Sequence, residues 1–110
     1  MKDIPEKIFD IKPSALEFIS ILKTQLNKDL AKVGNHQFSG KDVAPKQWIG
    51  ELSELLLKLN EHELNQFLYV VDLPENWSRN ILVSENPNEQ LAEAILQREW
   101  QKIFFRIKFS

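Results

Sequence analysis

The stretch that decides the fold is the last one, residues 86–110, which reads NPNEQLAEAILQREWQKIFFRIKFS. Asn86, Pro87 and Glu89 are typical of a helix start, because Asn caps a helix, Pro suits the first helical position and Glu can close a capping box. No Gly or Pro follows Pro87. The pattern therefore predicts an uninterrupted helix over 87–107, roughly 30 Å long at about 1.5 Å per residue.

This helix is apolar on two sides. One broad face carries Ala92, Leu96, Trp100, Ile103, Phe104 and Ile107. The opposite side carries four more apolar residues among three cations: Leu91, Ile95, Phe105 and Phe109 with Arg98, Lys102 and Arg106. A helix that is apolar on more than one side is normally buried or sandwiched, which indicates a central core helix. The alternative is that the second face binds a partner, because exposed apolar patches mark interaction sites.

The upstream chain repeats apolar residues at helical spacing and predicts helices over 15–33, 46–59 and 61–72, with a short helix over 75–83. Capping boxes beginning at Ser14 and Asn60 mark two of the starts, and Pro45 opens the second helix. Gly34 is a natural stop for the first helix. Residues 1–13 are predicted to be an N-terminal arm, either extended on the core or forming one helical turn.

The expected fold is therefore all-α, a single-domain helical bundle over 1–110 with four main helices and one short helix. The first and last helices are the longest. We expect them to pack along each other through an apolar set made of Leu16, Ile19, Leu26, Trp100 and Phe104.

Composition narrows the classes of function. A chain of 110 residues with 43% hydrophobic and 27% charged residues fits one ordinary globular domain. A net charge of -2 gives no electrostatic reason to expect nucleic acid or an anionic membrane as a partner. The absence of cysteine excludes disulfides, thiol catalysis and thiolate zinc sites. With no apolar run near the ~20 residues of a membrane span and no signal-peptide pattern, we expect a cytoplasmic protein.

Two histidines are the candidates for chemistry. His62 begins a stretch like the zinc motif His-Glu-x-x-His, but Gln66 stands where the second histidine is needed. His36 lies in a long loop over 34–44, which is either a plain connector or a functional loop. No nucleophile or orienting acid stands beside it in the sequence. We predict neither a metal nor a cofactor, and Glu61 and Glu63 argue against DNA binding because they would face phosphate.

We therefore expect a non-enzymatic protein–protein interaction module or assembly subunit that acts through its C-terminal helix. The predicted partner-binding residues are Ile95, Arg98, Lys102, Phe105, Arg106 and Phe109. The partner is another protein or a second copy of the chain, with acidic residues such as Glu51, Glu54 and Glu61 supplying the opposite charge. The alternative is a small enzyme, a hydrolase or a metal-dependent one, that uses His36 or His62 with nearby carboxylates.

Overall fold

Five α-helices form where the apolar periodicity predicts them. The computed structural model describes residues 4–12, 14–41 and 45–109, apart from the side chains at 45, 78 and 82. In chain order the elements are a 3-10 turn, Ile8–Asp10, and the helices α1 (Leu16–Ala31), α2 (Pro45–Lys58), α3 (Glu61–Val71), α4 (Glu75–Leu82) and α5 (Pro87–Lys108). These ranges contain no strand, and the all-α single-domain fold is confirmed. Parts of the predicted arm (1–3 and 13) and loop (42–44) lie outside the described residues.

The helix starts differ in how they are capped. At α3 the predicted capping box is present: Glu63 N–H donates to Asn60 Oδ1 at 2.8 Å, and Asn60 N–H donates to Glu63 Oε1 at 3.0 Å. At α1 the N-cap residue is Ala15 rather than Ser14, so the predicted box does not define this start. At α5 the amide of Asn86 contacts the side chain of Glu89 at 3.3 Å instead of capping the backbone.

The core is built around α5, which makes its most extensive contact with α2. Its fully buried side chains are Ala92, Ile95, Leu96, Glu99 and Trp100. Trp100 Nε1 donates to the Pro5 carbonyl at 2.7 Å, which fixes the N-terminal arm to the same helix. Ile8 in the 3-10 turn is also buried, and its N–H donates to Gln97 Oε1 at 2.9 Å. The described part of the arm, residues 4–12, therefore packs against α5 and contributes Ile8 to the core.

Helix α1 packs against α5. The ring of Phe18 packs edge-on against Trp100 with centroids 5.6 Å apart, while Asp29 contacts Lys102 at 3.2 Å. Of the residues expected between these two helices, Ile19, Leu26, Trp100 and Phe104 are buried. Leu16 is 62% exposed, so its place in that set is corrected. Helix α3 contacts α1 and α5.

Candidate functional site

The C-terminal end of α5 carries the largest group of exposed aromatic and aliphatic side chains on that helix. Phe105 is 44% exposed, Ile107 41% and Phe109 74%. We refer to residues 105–109 as the C-terminal surface. The preceding residues, Ile103 and Phe104, are still buried. The helix therefore extends past the core, and residues on two of its sides reach solvent together.

The two phenylalanines of this surface are ordered against each other. Phe105 and Phe109 lie one helical turn apart on the same side, and their rings stack with centroids 5.7 Å apart and planes 21° apart. Phe104 meets Phe105 edge-on at 5.5 Å and thereby joins the pair to the core. Lys108 Nζ lies 6.0 Å from the centroid of the Phe104 ring. The result is an aromatic pair held in place by the core, with cations beside it.

The predicted partner-binding residues divide into three groups. Phe105, Arg106 and Phe109 are exposed, as a contact surface requires. Ile95 is fully buried among core side chains, so its assignment to a partner surface is corrected. The side chains of Arg98 and Lys102 are only 21% and 23% exposed, because each is engaged within the chain.

Arg98 closes the end of α3. Its guanidinium donates to the carbonyl of Asp72 at 2.9 Å and to the carboxylate of the same residue at 3.2 Å. It also donates to Gln101 Oε1 at 2.6 Å. Asp72 is the C-cap of α3 and has a left-handed backbone, with φ of 63°. Arg98 thus has a structural partner at the end of α3.

Lys102 belongs to a buried polar cluster between α1 and α5. Its ammonium lies 3.2 Å from Asp29 Oδ2 and 2.6 Å from Glu99 Oε1. Asp29 is only 2% exposed and Glu99 is fully buried. Gln25 Nε2 also donates to Asp29, at 3.3 Å. Within the described part of the chain, neither oxygen of Glu99 has a hydrogen bond of good geometry, although Oε1 is close to the Lys102 ammonium.

Two carboxyl groups in one buried cluster shift each other's titration. Burial, together with the neighbouring Asp29, raises the pKa of Glu99 to about 8. Burial also works against ionisation of Asp29, but the neighbouring Glu99 carboxyl and the charge of Lys102 outweigh that effect and lower the pKa of Asp29. At neutral pH the pair therefore holds one proton, on Glu99, and one negative charge, on Asp29.

Sequence reasoning missed this cluster, although the sequence contains a signal for it. Glu99 falls between Leu96 and Ile103 on the apolar face of α5. Asp29 falls beside Leu26 on the apolar face of α1. A carboxylate within an apolar helical stripe is either exposed by a local distortion or buried with a partner. Only the packing of α1 against α5 shows that these two residues are each other's partners.

His36 also has a carboxylate partner. Its Nε2 atom lies 2.9 Å from Oε2 of Glu63, the residue that closes the capping box of α3. The histidine lines a cavity of about 360 Å³ together with Ser39, Glu51, Lys58 and others. The hydrogen bond from the Asn60 backbone, and then the one with His36, lower the pKa of Glu63. The contact joins the loop after α1 to the start of α3.

The rest of this loop is fixed by polar side chains of the flanking helices. Asn27 exchanges two hydrogen bonds with the backbone of Phe38, at 2.7 and 2.9 Å. Glu51 accepts from the N–H and hydroxyl of Ser39, at 2.7 and 2.8 Å, and from the N–H of Gly40 at 3.1 Å. Glu51, which was expected to supply negative charge to a partner, thus accepts hydrogen bonds from the loop of its own chain.

His62 stands apart from these groups, exposed in the first turn of α3. Among the described residues, no three His, Asp or Glu side chains cluster closely enough to hold a metal ion.

None of the helices in the described ranges combines the length and apolarity needed to cross a bilayer. Comparison of the chain with protein-family models, with curated proteins and with solved structures finds no match.

Proposed function

We propose that this protein is a non-enzymatic interaction module that binds a protein partner through its C-terminal surface. The observation that carries the proposal is the pair of Phe105 and Phe109, whose rings stack on each other while both residues are exposed to solvent. Rigid aromatic side chains are enriched among the residues that contribute most to binding, because they bury a large area at small entropic cost. Full burial of one such side chain stabilises a complex by about 2 kcal/mol.

The charges beside the pair indicate what kind of partner fits. Arg106 and Lys108 are exposed next to the two rings. Arg106 donates to Gln25 Oε1 at 2.9 Å, which leaves further guanidinium donors for a carboxylate. A two-fold contact of this surface with itself would bring four cations together. The occupant that fits is therefore a different protein, whose surface is apolar at its centre and carries carboxylates around it.

The test uses paired variants of equal chemistry. Phe109→Asp places a charge in the C-terminal surface, and Tyr69→Asp does the same at an aromatic residue of α3 that is 85% exposed. Both should remain folded monomers, as judged by thermal melting and light scattering. We expect one protein to be retained from native lysate by the wild type and by Tyr69→Asp but not by Phe109→Asp. Its retention should also weaken as salt is raised. Equal retention by the two variants would contradict the proposal.

A second candidate function has one specific observation in its favour. The 2.9 Å contact of His36 with Glu63, at the edge of a cavity, is the arrangement in which a carboxylate orients a histidine base. The surroundings favour a structural role. Glu63 already serves the capping box, and the hydroxyl of Ser39 in the same cavity donates to Glu51. Loss of a hydrolytic activity in His36→Ala, but not in His62→Ala, would establish the enzyme instead.

A further inference from the structure

We propose that Asp29, Glu99 and Lys102 form a pH-sensitive junction, which holds α1 against α5 while the carboxyl pair keeps one proton and loosens when that proton leaves. The junction is separate from the C-terminal surface, and the proposal does not depend on any partner. It rests on where the three side chains lie and on what surrounds them.

The geometry decides which carboxyl group holds the proton. Asp29 has an amide and two cations close by: Gln25 at 3.3 Å, Lys102 at 3.2 Å and Lys32 at 3.6 Å. Glu99 is fully buried and has Lys102 alone among those cations, at 2.6 Å. Two ionised carboxylates in one buried site repel each other, and each lacks water. The proton therefore stays on Glu99, and the negative charge stays on Asp29, where the ammonium groups of Lys102 and Lys32 stabilise it.

Among the described residues, the charged groups that act on Glu99 are Asp29 and Lys102. From α1 the groups that face Glu99 are Asp29 and, through it, Lys32. On α3, Asp72 binds Arg98, which points about 100° around α5 from Glu99. Charged side chains in the described parts of α2, α4 and the 3-10 turn are exposed, or, in the case of Glu51, bound to the loop at Ser39. The proton is therefore controlled by the α1–α5 contact itself.

The direction of the pH effect follows from the raised pKa of Glu99. In the folded chain Glu99 releases its proton near pH 8, compared with an ordinary value of 4.5. Below pH 4.5 the group is protonated in both the folded and unfolded states, and its full contribution to stability is present. As pH rises from there toward 8, only the folded state keeps the proton, so that contribution is lost. One proton corresponds to an unfolding constant that rises up to about tenfold per pH unit in this window.

Deprotonation of Glu99 should weaken the contact between α1 and α5 before the whole domain unfolds. A second buried carboxylate would compete with Asp29 for Lys102, which is the cation that joins the two helices. The neighbouring bond from Arg106 to Gln25 is at the same junction but is exposed, so it cannot replace the lost contact. We therefore expect amide protection to fall first in the second half of α1, around Asp29.

The decisive variant is Glu99→Gln, because glutamine keeps the shape and the donor of a protonated carboxyl but cannot ionise. Its matched control is Glu93→Gln, which changes an exposed glutamate on the same helix. Unfolding constants from denaturant titrations between pH 5 and 8.5 should rise with pH in the wild type and in the control. The rise should be smaller in Glu99→Gln by up to about tenfold per pH unit. Parallel curves for wild type and Glu99→Gln would overturn the proposal.

A measurement on the wild type keeps the proposal testable if Glu99→Gln fails to fold. The carbon-13 shift of the Glu99 carboxyl should titrate with a midpoint near 8. Amide exchange in α1, corrected for its intrinsic pH dependence, should accelerate over the same range. A midpoint near the ordinary value of 4.5 would overturn the proposal. Amide protection in α1 that stays constant while Glu99 titrates would overturn it as well.

Discussion

The ammonium of Lys102 lies 3.2 Å from Oδ2 of Asp29, a residue 73 positions earlier in the chain. This contact joins α1 to α5. It also explains why Lys102, which sequence reasoning assigned to a partner surface, is only 23% exposed. The ammonium of Lys102 contacts two buried carboxyl groups of its own chain, those of Asp29 and Glu99.

Removing that cation should destabilise the fold. In Lys102→Met the aliphatic stem is retained, but Asp29 is left as a buried carboxylate that has lost its closest cation. Breaking a buried ion pair from one side costs about 3 kcal/mol. Lys108→Met, at an exposed position of the same helix, should change stability by less than about 0.5 kcal/mol. Equal denaturant midpoints for the two variants would show that Lys102 is a surface residue in energetic terms.

Neutralising Asp29 should lower the pKa of Glu99. Burial is the largest cause of the raised pKa and is unchanged in Asp29→Asn, whereas the effect of the neighbouring Asp29 carboxylate is removed. The midpoint should therefore fall below about 8 but stay above 4.5, and the pH range over which stability is lost should end earlier. Carbon-13 titration measures this directly. Asp72→Asn, which alters an exposed carboxylate at Arg98, is the control and should leave the midpoint in place.

Gly34 should tolerate no side chain without disturbing the loop after α1. A Cβ at this position would lie 2.6 Å from Oε2 of Glu63 and 3.1 Å from the ring of His36. Gly34→Ala should therefore displace the His36–Glu63 contact and cost about 1 kcal/mol. Gly50→Ala in α2 is the matched control, because nothing lies within 4 Å of its added Cβ. It should stabilise the protein by about 0.5–1 kcal/mol, and a loss in both variants would refute the steric explanation.

Two adjacent phenylalanines should respond differently to truncation. Phe104 is 8% exposed, so Phe104→Ala should cost about 3 kcal/mol, whereas Phe105 is 44% exposed and should cost about 1 kcal/mol. Thermal melts of both variants would test this. A large and equal loss in Phe105→Ala would place Phe105 in the core and remove the basis for a binding surface there.

The sequence by itself determined the helices and the character of α5. Apolar spacing and the starts at Asn60 and Pro87 place all five α-helices within two residues of their observed ends at either side. Those signals are local, because side chains three and four positions apart share a face whatever the rest of the chain does. The exposed end of α5 could be named as a candidate surface for the same reason, through Phe105, Arg106 and Phe109.

Only the tertiary structure decided which face of each helix meets which neighbour. Ile95 and Phe105 lie on the same side of α5 in the sequence pattern, yet one is fully buried and the other 44% exposed. The difference arises because neighbouring elements surround the middle of α5 and not its end. The pairing of Asp29 with Glu99 has the same origin. A helical pattern specifies directions around one axis, whereas burial and pKa depend on the distances between axes, which the packing of the whole core sets.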